Sequence, residues 1–254
     1  MNTSTYIPED CVAPILIKDE AHAMYPFFSG TGFFARFHPY ESIFFITGKH
    51  CTLKPDGSTR GQLQIKYSTS PKCDRAVQFK EYMLTQISSD DDEYEDLIIY
   101  VIDELPMELK EEVTNRALRL PDQSIAELLH NNLLSLKGKV RTIGFPSVSK
   151  EIDYESNHAT VQPRGIVGRV VSCSSDKRWF SVDSLNWTDG VIDGFSGSPV
   201  LELVPAKGGV LALPIGILLT GSKSLFRFLS INVATDLIAA YLTKSAGLKR
   251  HEVL

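Results

Sequence analysis

The sequence has few cysteines, and none of them stands in a metal-binding pattern. Cys11, Cys51, Cys73 and Cys173 form no Cys-x-x-Cys pair, and no histidines lie beside them at zinc-ligand intervals. We therefore expect no metal site and no bound cofactor. Free thiols in a reducing compartment are the favoured interpretation of the four cysteines.

The sequence also lacks a basic excess, a secretory signal and a long apolar run. The formal net charge is −5, which leaves no basic field for a nucleic acid. The first ten residues have neither the basic start nor the apolar core of a signal peptide. No run reaches the roughly 18–20 apolar residues that cross a bilayer. These features predict a cytoplasmic protein without a nucleic acid or membrane partner.

What the sequence does contain is a series of short β-rich runs separated by Gly, Pro and Ser. The frequency of these runs favours a barrel or sandwich over alternating β and α units. Nine runs are predicted to be strands: 30–37, 42–47, 63–67, 97–101, 140–144, 165–171, 179–182, 199–204 and 210–219.

Two stretches have helical character instead. Residues 104–136 are rich in Leu, Glu, Ala and Lys, and Ser124 with Glu127 forms a capping box there. We expect one or two short helices in this connection. Residues 233–244 carry apolar side chains at helical spacing, which predicts an amphipathic C-terminal helix.

A candidate nucleophile lies in a glycine-rich turn. Gly194 and Gly197 flank Ser196 closely, and such backbone freedom permits a tight turn that presents the hydroxyl. The N–H groups of Gly194 and Ser196 could converge there as an oxyanion hole. A Gly/Ser hairpin and the Gly-x-Ser-x-Gly elbow of α/β-hydrolases are the alternatives, but position 198 is Ser rather than Gly.

A base and an acid precede the serine in the sequence. His50 follows a buried-looking strand, where a rigid sheet would hold a general base. Asp96 ends the acidic run 90–96 and leads into an apolar strand, so its carboxylate could orient an imidazole. An α/β-hydrolase carries its histidine after the serine, where only His251 stands, close to the end of the sequence.

Several segments resemble the trypsin/chymotrypsin superfamily of serine peptidases, in that family's order. They are Gly30-Thr-Gly-Phe-Phe, Ile46-Thr-Gly-Lys-His-Cys, Asp96-Leu-Ile-Ile and Gly194-Phe-Ser-Gly-Ser-Pro-Val. The resemblance implies a mostly β fold of two six-stranded antiparallel barrels, with a short helical insertion and a C-terminal helix. It implies one domain over 1–254, which comprises a first barrel at about 25–103, a helical connection at 104–136, a second barrel at 137–232 and a helix at 233–245.

The resemblance also assigns functional roles. It implies a serine endopeptidase with His50, Asp96 and Ser196 as the catalytic triad, and Gly194 and Ser196 as oxyanion-hole donors. The substrate pocket would be formed by Gly190, Leu219, Thr220 and Gly221. These segments offer no acid at the base of the pocket, which favours a neutral or apolar substrate side chain over Arg or Lys.

Three departures from the secreted animal members place the chain nearer to bacterial relatives. Phe195 stands where those members carry the Asp that receives a newly cut N-terminus, so we expect no activation by N-terminal cleavage. No cysteine lies near Gly30 to pair with Cys51, which should be a free thiol. Ser198 replaces a glycine, as in glutamyl-endopeptidase-like members. The expected branch is this one or the HtrA type, without a PDZ module.

Three functions remain open on the sequence. The first is an active peptidase that cleaves protein or peptide substrates and is restrained by narrow specificity or by a regulatory protein partner. The second is a catalytically inactive, protease-like binding module. The third is an esterase or another acyl hydrolase on an unrelated fold.

Overall fold

A computed structural model provides the structure of the chain. It describes residues 8–21, 26–37, 40, 42–66, 76–85, 96–102, 105–135, 138–153, 158–175, 177–188, 190, 192–206, 209–222, 224–243 and 250–252. Cys73 and the acidic residues 90–95 lie outside these ranges. Among the described residues, no helix combines the length and the apolar character needed to cross a membrane.

The predicted mostly β, trypsin-like double barrel is confirmed. The described strands are β1 (Val12–Lys18), β2 (Phe27–Phe37), β3 (Ile43–Gly48), β4 (Gln62–Gln64), β5 (Phe79–Leu84), β6 (Leu97–Ile102), β7 (Leu118–Leu120), β8 (Lys139–Gly144), β9 (Lys150–Asp153), β10 (His158–Val161), β11 (Arg164–Cys173), β12 (Trp179–Ser184), β13 (Pro199–Ala206), β14 (Gly209–Ser222), β15 (Leu225–Ser230) and β16 (Arg250–Glu252). The described helices are α1 (Met107–Arg116), α2 (Gln123–Leu133) and α3 (Ile231–Leu242).

The two halves close differently. The second half is a closed antiparallel barrel in the order β11-β12-β15-β14-β13-β8. The first half is a half-barrel sheet in the order β16-β5-β6-β3-β2-β1-β4, to which β7 adds by pairing with β2 in parallel. This sheet draws strands from beyond residues 25–103, because β1 precedes β2 and β7 lies in the helical connection.

The core of the first sheet has two sides. Residues of β2 and β3 are buried on both faces, and adjacent residues belong to different clusters. Phe34 and Phe45 belong to one cluster, and their rings meet edge to face with 5.3 Å between centroids. Phe33 and Phe44 instead join a cluster that includes Ile217 of the second barrel. Apolar burial therefore fixes the two halves against each other, which is necessary for any site between them.

The helices differ from prediction in their caps. The first turn of α2 is capped by Asp122, whose side chain accepts from Ile125 N at 2.9 Å. The predicted capping box of Ser124 and Glu127 is wrong, because Asp122 precedes it and already provides a capping oxygen. The C-terminal helix α3 begins after Ser230 and lies between the halves, where its Tyr241 hydroxyl donates to Glu81 of β5 at 2.7 Å.

Candidate active site

The candidate base and acid form a close pair at the ends of two adjacent strands. His50 lies in a single 3-10 turn directly after β3, and Asp96 immediately precedes β6, which pairs with β3. Asp96 Oδ2 lies 2.6 Å from His50 Nδ1, and Asp96 Oδ1 accepts from the His50 backbone N–H at 2.9 Å. Two contacts from one carboxylate fix both the ring and the backbone of His50 and favour the tautomer with the proton on Nδ1.

The protonation of His50 reflects these contacts. Burial of the ring disfavours its charged form, but the hydrogen bonds to Asp96 and Cys51 outweigh burial and raise the pKa of His50 above its ordinary value. The side chain nevertheless keeps 46% of its surface exposed. The imidazole is therefore open to substrate and to solvent while its charged form is stabilised by the protein.

Ser196 lies in the turn that leads into β13. Gly194 and Gly197 have φ values of +95° and +88°, which side-chain-bearing residues rarely adopt. A Cβ at Gly197 would collide with the Thr31 carbonyl oxygen and the Thr47 hydroxyl. Only glycine fits these two positions, so the turn around the half-buried serine is determined by the sequence.

The turn is anchored to both halves of the molecule. Thr31 of β2 donates from Oγ1 to Gly194 O at 2.6 Å and from its backbone N–H to Ser196 O at 2.9 Å. Gly197 N donates to Leu218 O of β14 at 2.6 Å. These bonds leave the N–H groups of Gly194 and Ser196 without a hydrogen-bond partner among the described residues. Both donors are therefore available to an oxyanion.

Phe195 occupies the place between these two donors. Its side chain is fully buried and packs edge to face on Trp187 with 5.2 Å between ring centroids. Phe195 therefore packs into apolar surroundings beneath the turn. The turn is thus held by apolar burial as well as by hydrogen bonds.

The serine and the histidine approach each other but are bonded to other groups. Ser196 Oγ donates to Leu219 O at 3.0 Å. His50 Nε2 lies 3.6 Å from Cys51 Sγ, which in turn lies 3.5 Å from Ser196 O. The His50 ring and the Leu219 side chain both lie within 3.4 Å of where a Cβ at Gly48 would stand. The structure thus brings His50, Asp96 and Ser196 to one place without a direct Ser196–His50 hydrogen bond among the described contacts.

The predicted substrate-pocket residues lie on two segments of the chain. Leu219, Thr220 and Gly221 continue along β14 beside the serine, where Thr220 and Gly221 are exposed. Gly190 lies in the exposed loop ahead of the serine turn with φ +74°. A Cβ at Gly190 would have no atom of another described segment within 4 Å, whereas Ile192, two residues further on, lies against Gly221.

Sequence reasoning missed three participants in this site. Thr31 anchors the serine turn, the Leu219 carbonyl accepts from the serine, and Cys51 contacts the histidine. The Leu219 carbonyl is available because the pairing of β14 with β15 shifts register between Leu218 and Thr220. Cys51, Cys11 and Cys173 are free thiols, as expected for Cys51.

Comparison with known proteins identifies the fold. No family model matches the sequence, and no curated protein matches it. Among solved structures, the chain is similar to the protease Anisep from Arthrobacter nicotinovorans, with a TM-score of 0.55, 13% identity, and coverage of 92% of this chain and 97% of that one. The likeness shows that the chain has the fold of a trypsin-like protease.

Proposed function

We propose that the chain is a serine endopeptidase in which Ser196 is the nucleophile, His50 the general base and Asp96 the residue that orients His50. The observation that carries the proposal is the bidentate hold of Asp96 on His50, beside a serine turn with two unused N–H donors. The trypsin-like fold, which the chain shares with a solved protease structure at a TM-score of 0.55, is compatible with this function.

In the proposed reaction each of these groups has one role. The Ser196 oxygen attacks the scissile carbonyl while its proton passes to His50 Nε2. The resulting oxyanion accepts from the N–H groups of Gly194 and Ser196. His50 then returns the proton to the leaving amine, and water hydrolyses the acyl-enzyme by the same route.

Ser196 must first exchange its hydrogen-bond partner. The hydroxyl now donates to the Leu219 carbonyl at the edge of β14. An extended peptide laid along β14 would supply a backbone N–H to that carbonyl. The Ser196 hydroxyl would then exchange this acceptor for His50 Nε2. We therefore infer that substrate binding promotes the Ser196–His50 hydrogen bond that activates the serine.

Labelling with a fluorophosphonate, together with cleavage of a peptide library, tests the proposal. The unmodified chain should label and cleave, and Ser196→Ala should do neither, with a loss of roughly 10⁴–10⁶ in kcat. Ser198→Ala is the matched control, because that hydroxyl is buried and has no partner among the described residues. An unlabelled wild-type serine would favour an inactive binding module, and cleavage of esters but not peptides would favour another acyl hydrolase.

A further inference from the structure

An open pocket of about 460 Å³ lies beside His50, away from the serine turn. Its charged lining consists of Lys49, Lys54, Arg60, His50 and Asp96. The Asp96 carboxylate is already held by the His50 ring and backbone. Among the described residues, the lining therefore carries Lys49, Lys54 and Arg60 beside one carboxylate that is already hydrogen-bonded, although the whole chain has a net charge of −5.

Arg60 is oriented by the backbone around the site. Its Nε donates to His50 O at 2.8 Å and to Leu53 O at 3.1 Å, and it makes no other hydrogen bond with the described residues. The terminal nitrogens of the guanidinium thus remain as donors in a fixed direction. A guanidinium held in this way loses little freedom when it binds a carboxylate.

Lys54 adds a second cation on a short exposed loop. The nearby acid Asp56 accepts from both the backbone N–H and the hydroxyl of Ser58, at 2.8 and 2.6 Å. Asp56 does not belong to the pocket lining, whereas Lys54 does. Asp56 attracts the charge of Lys54 from outside the lining, and the acid of the described lining, Asp96, is already hydrogen-bonded to His50.

We propose that this pocket binds an aspartate or glutamate side chain of the substrate, within two residues of the scissile bond. The proposal rests on the proposed peptidase function, because His50 lines both the pocket and the catalytic site. This pocket is distinct from the one predicted at Gly190 and on β14, for which an apolar or neutral side chain is expected. The substrate class is thus a peptide with an acidic residue beside its cleavage site.

The test compares paired peptides that differ only by Glu or Gln at each position flanking the cleavage site. The readout is the ratio of kcat/KM for the Glu peptide to that for the Gln peptide, in which any general loss of activity of a variant cancels. Each exposed charge pair contributes up to about fivefold, so two cations predict a ratio of several-fold, and at most about 25-fold, at low salt. The ratio should fall as salt is raised, because added ions screen exposed charges.

The variant Lys54→Glu should bring the ratio to about one or below, and Lys54→Arg should preserve it. Lys139→Glu, an equal charge change on the exposed β8 residue of the second barrel, should leave it unchanged. A wild-type ratio near one at every position would overturn the inference and leave the peptidase proposal intact.

If no peptide is cleaved, the peptidase proposal fails, and a binding measurement then tests the acidic-side-chain pocket by itself. Calorimetry on the Ser196→Ala chain would then compare the affinities for the Glu and Gln peptides. A preference for Glu that Lys54→Glu abolishes supports the pocket assignment, and equal affinities reject it.

Discussion

Replacing Phe195 by Ala removes the apolar side chain that holds the serine turn but leaves the catalytic candidate Ser196 unmutated. The Phe195 side chain is fully buried against Trp187. Truncation of a buried Phe to Ala costs about 3–5 kcal/mol of folding free energy. A domain of this size has roughly 5–15 kcal/mol, so most of the variant should still fold.

The local effect should exceed the global one. Ordering the four residues 194–197 costs about 4–8 kcal/mol of backbone entropy. The two bonds from Thr31, the bond from Gly197, and the bonds from Phe195 N to Ile192 O and from Ser198 N to Phe195 O return about 5 kcal/mol together. Burial of Phe195 accounts for the rest of that cost. Without it the turn is ordered only part of the time, and the oxyanion donors are displaced with it.

Denaturant unfolding and the rate of fluorophosphonate labelling measure the two effects separately. We expect Phe195→Ala to lose about 3–5 kcal/mol and to label at least tenfold more slowly. Phe180→Ala is the matched control, since Phe180 is equally buried in the same core cluster but lies on β12. It should lose similar stability and keep its labelling rate. A labelling rate of Phe195→Ala equal to that of the wild type, or an equally reduced labelling rate in both variants, would refute the argument.

Three further predictions concern the histidine, the acid and the glycine turn. Because the pKa of His50 is raised, kcat/KM should fall on acidification with a midpoint above pH 6.5. Cys51→Ala removes one hydrogen bond that raises this pKa, so the midpoint in a pH–rate profile should move down by roughly half a pH unit. Asp96→Asn should reduce kcat by about 10⁴ because it favours the wrong tautomer; steady-state assays in which kcat falls less than tenfold would count against this role. Gly197→Ala should lose at least 2 kcal/mol more folding free energy than Gly57→Ala, roughly the cost of the clash of the new Cβ with the backbone. Both glycines have a positive φ, but a Cβ at Gly57 would have no atom within 4 Å. Similar unfolding midpoints for the two variants would contradict this.

Much of the second barrel could be predicted because its strands repeat short apolar runs between turn residues. Strand β1 was missed, since Pro14 argues against a strand that is paired on both sides. Pro14 lies opposite Thr31, whose N–H points away from β1 to Ser196 O. The pairing of β1 with β4 begins only at Leu16, so no described strand on that side needs an N–H from Pro14.

The residue types of the candidate site could be predicted, but their contacts could not. Ser196, His50 and Asp96 stand beside strand ends that the apolar pattern reveals. The Leu219 acceptor depends on a register shift in β14, and a one-residue bulge leaves no mark in composition. The basic pocket likewise depends on the fold, which places Arg60 against the backbone of His50.

The packing of Phe195 also determines what a cut at the N-terminus can do for this site. An ammonium inserted beside the serine turn would meet an apolar side chain buried on Trp187, and an unpaired buried charge costs several kcal/mol. The turn is ordered by interactions already present in the uncut chain, so we expect the intact chain to be active, with its N-terminus verified by mass spectrometry. Activity that arises only after N-terminal trimming would disprove this. The exposed member of the site is His50, and control is therefore expected to act on access to that ring rather than on the order of the serine turn.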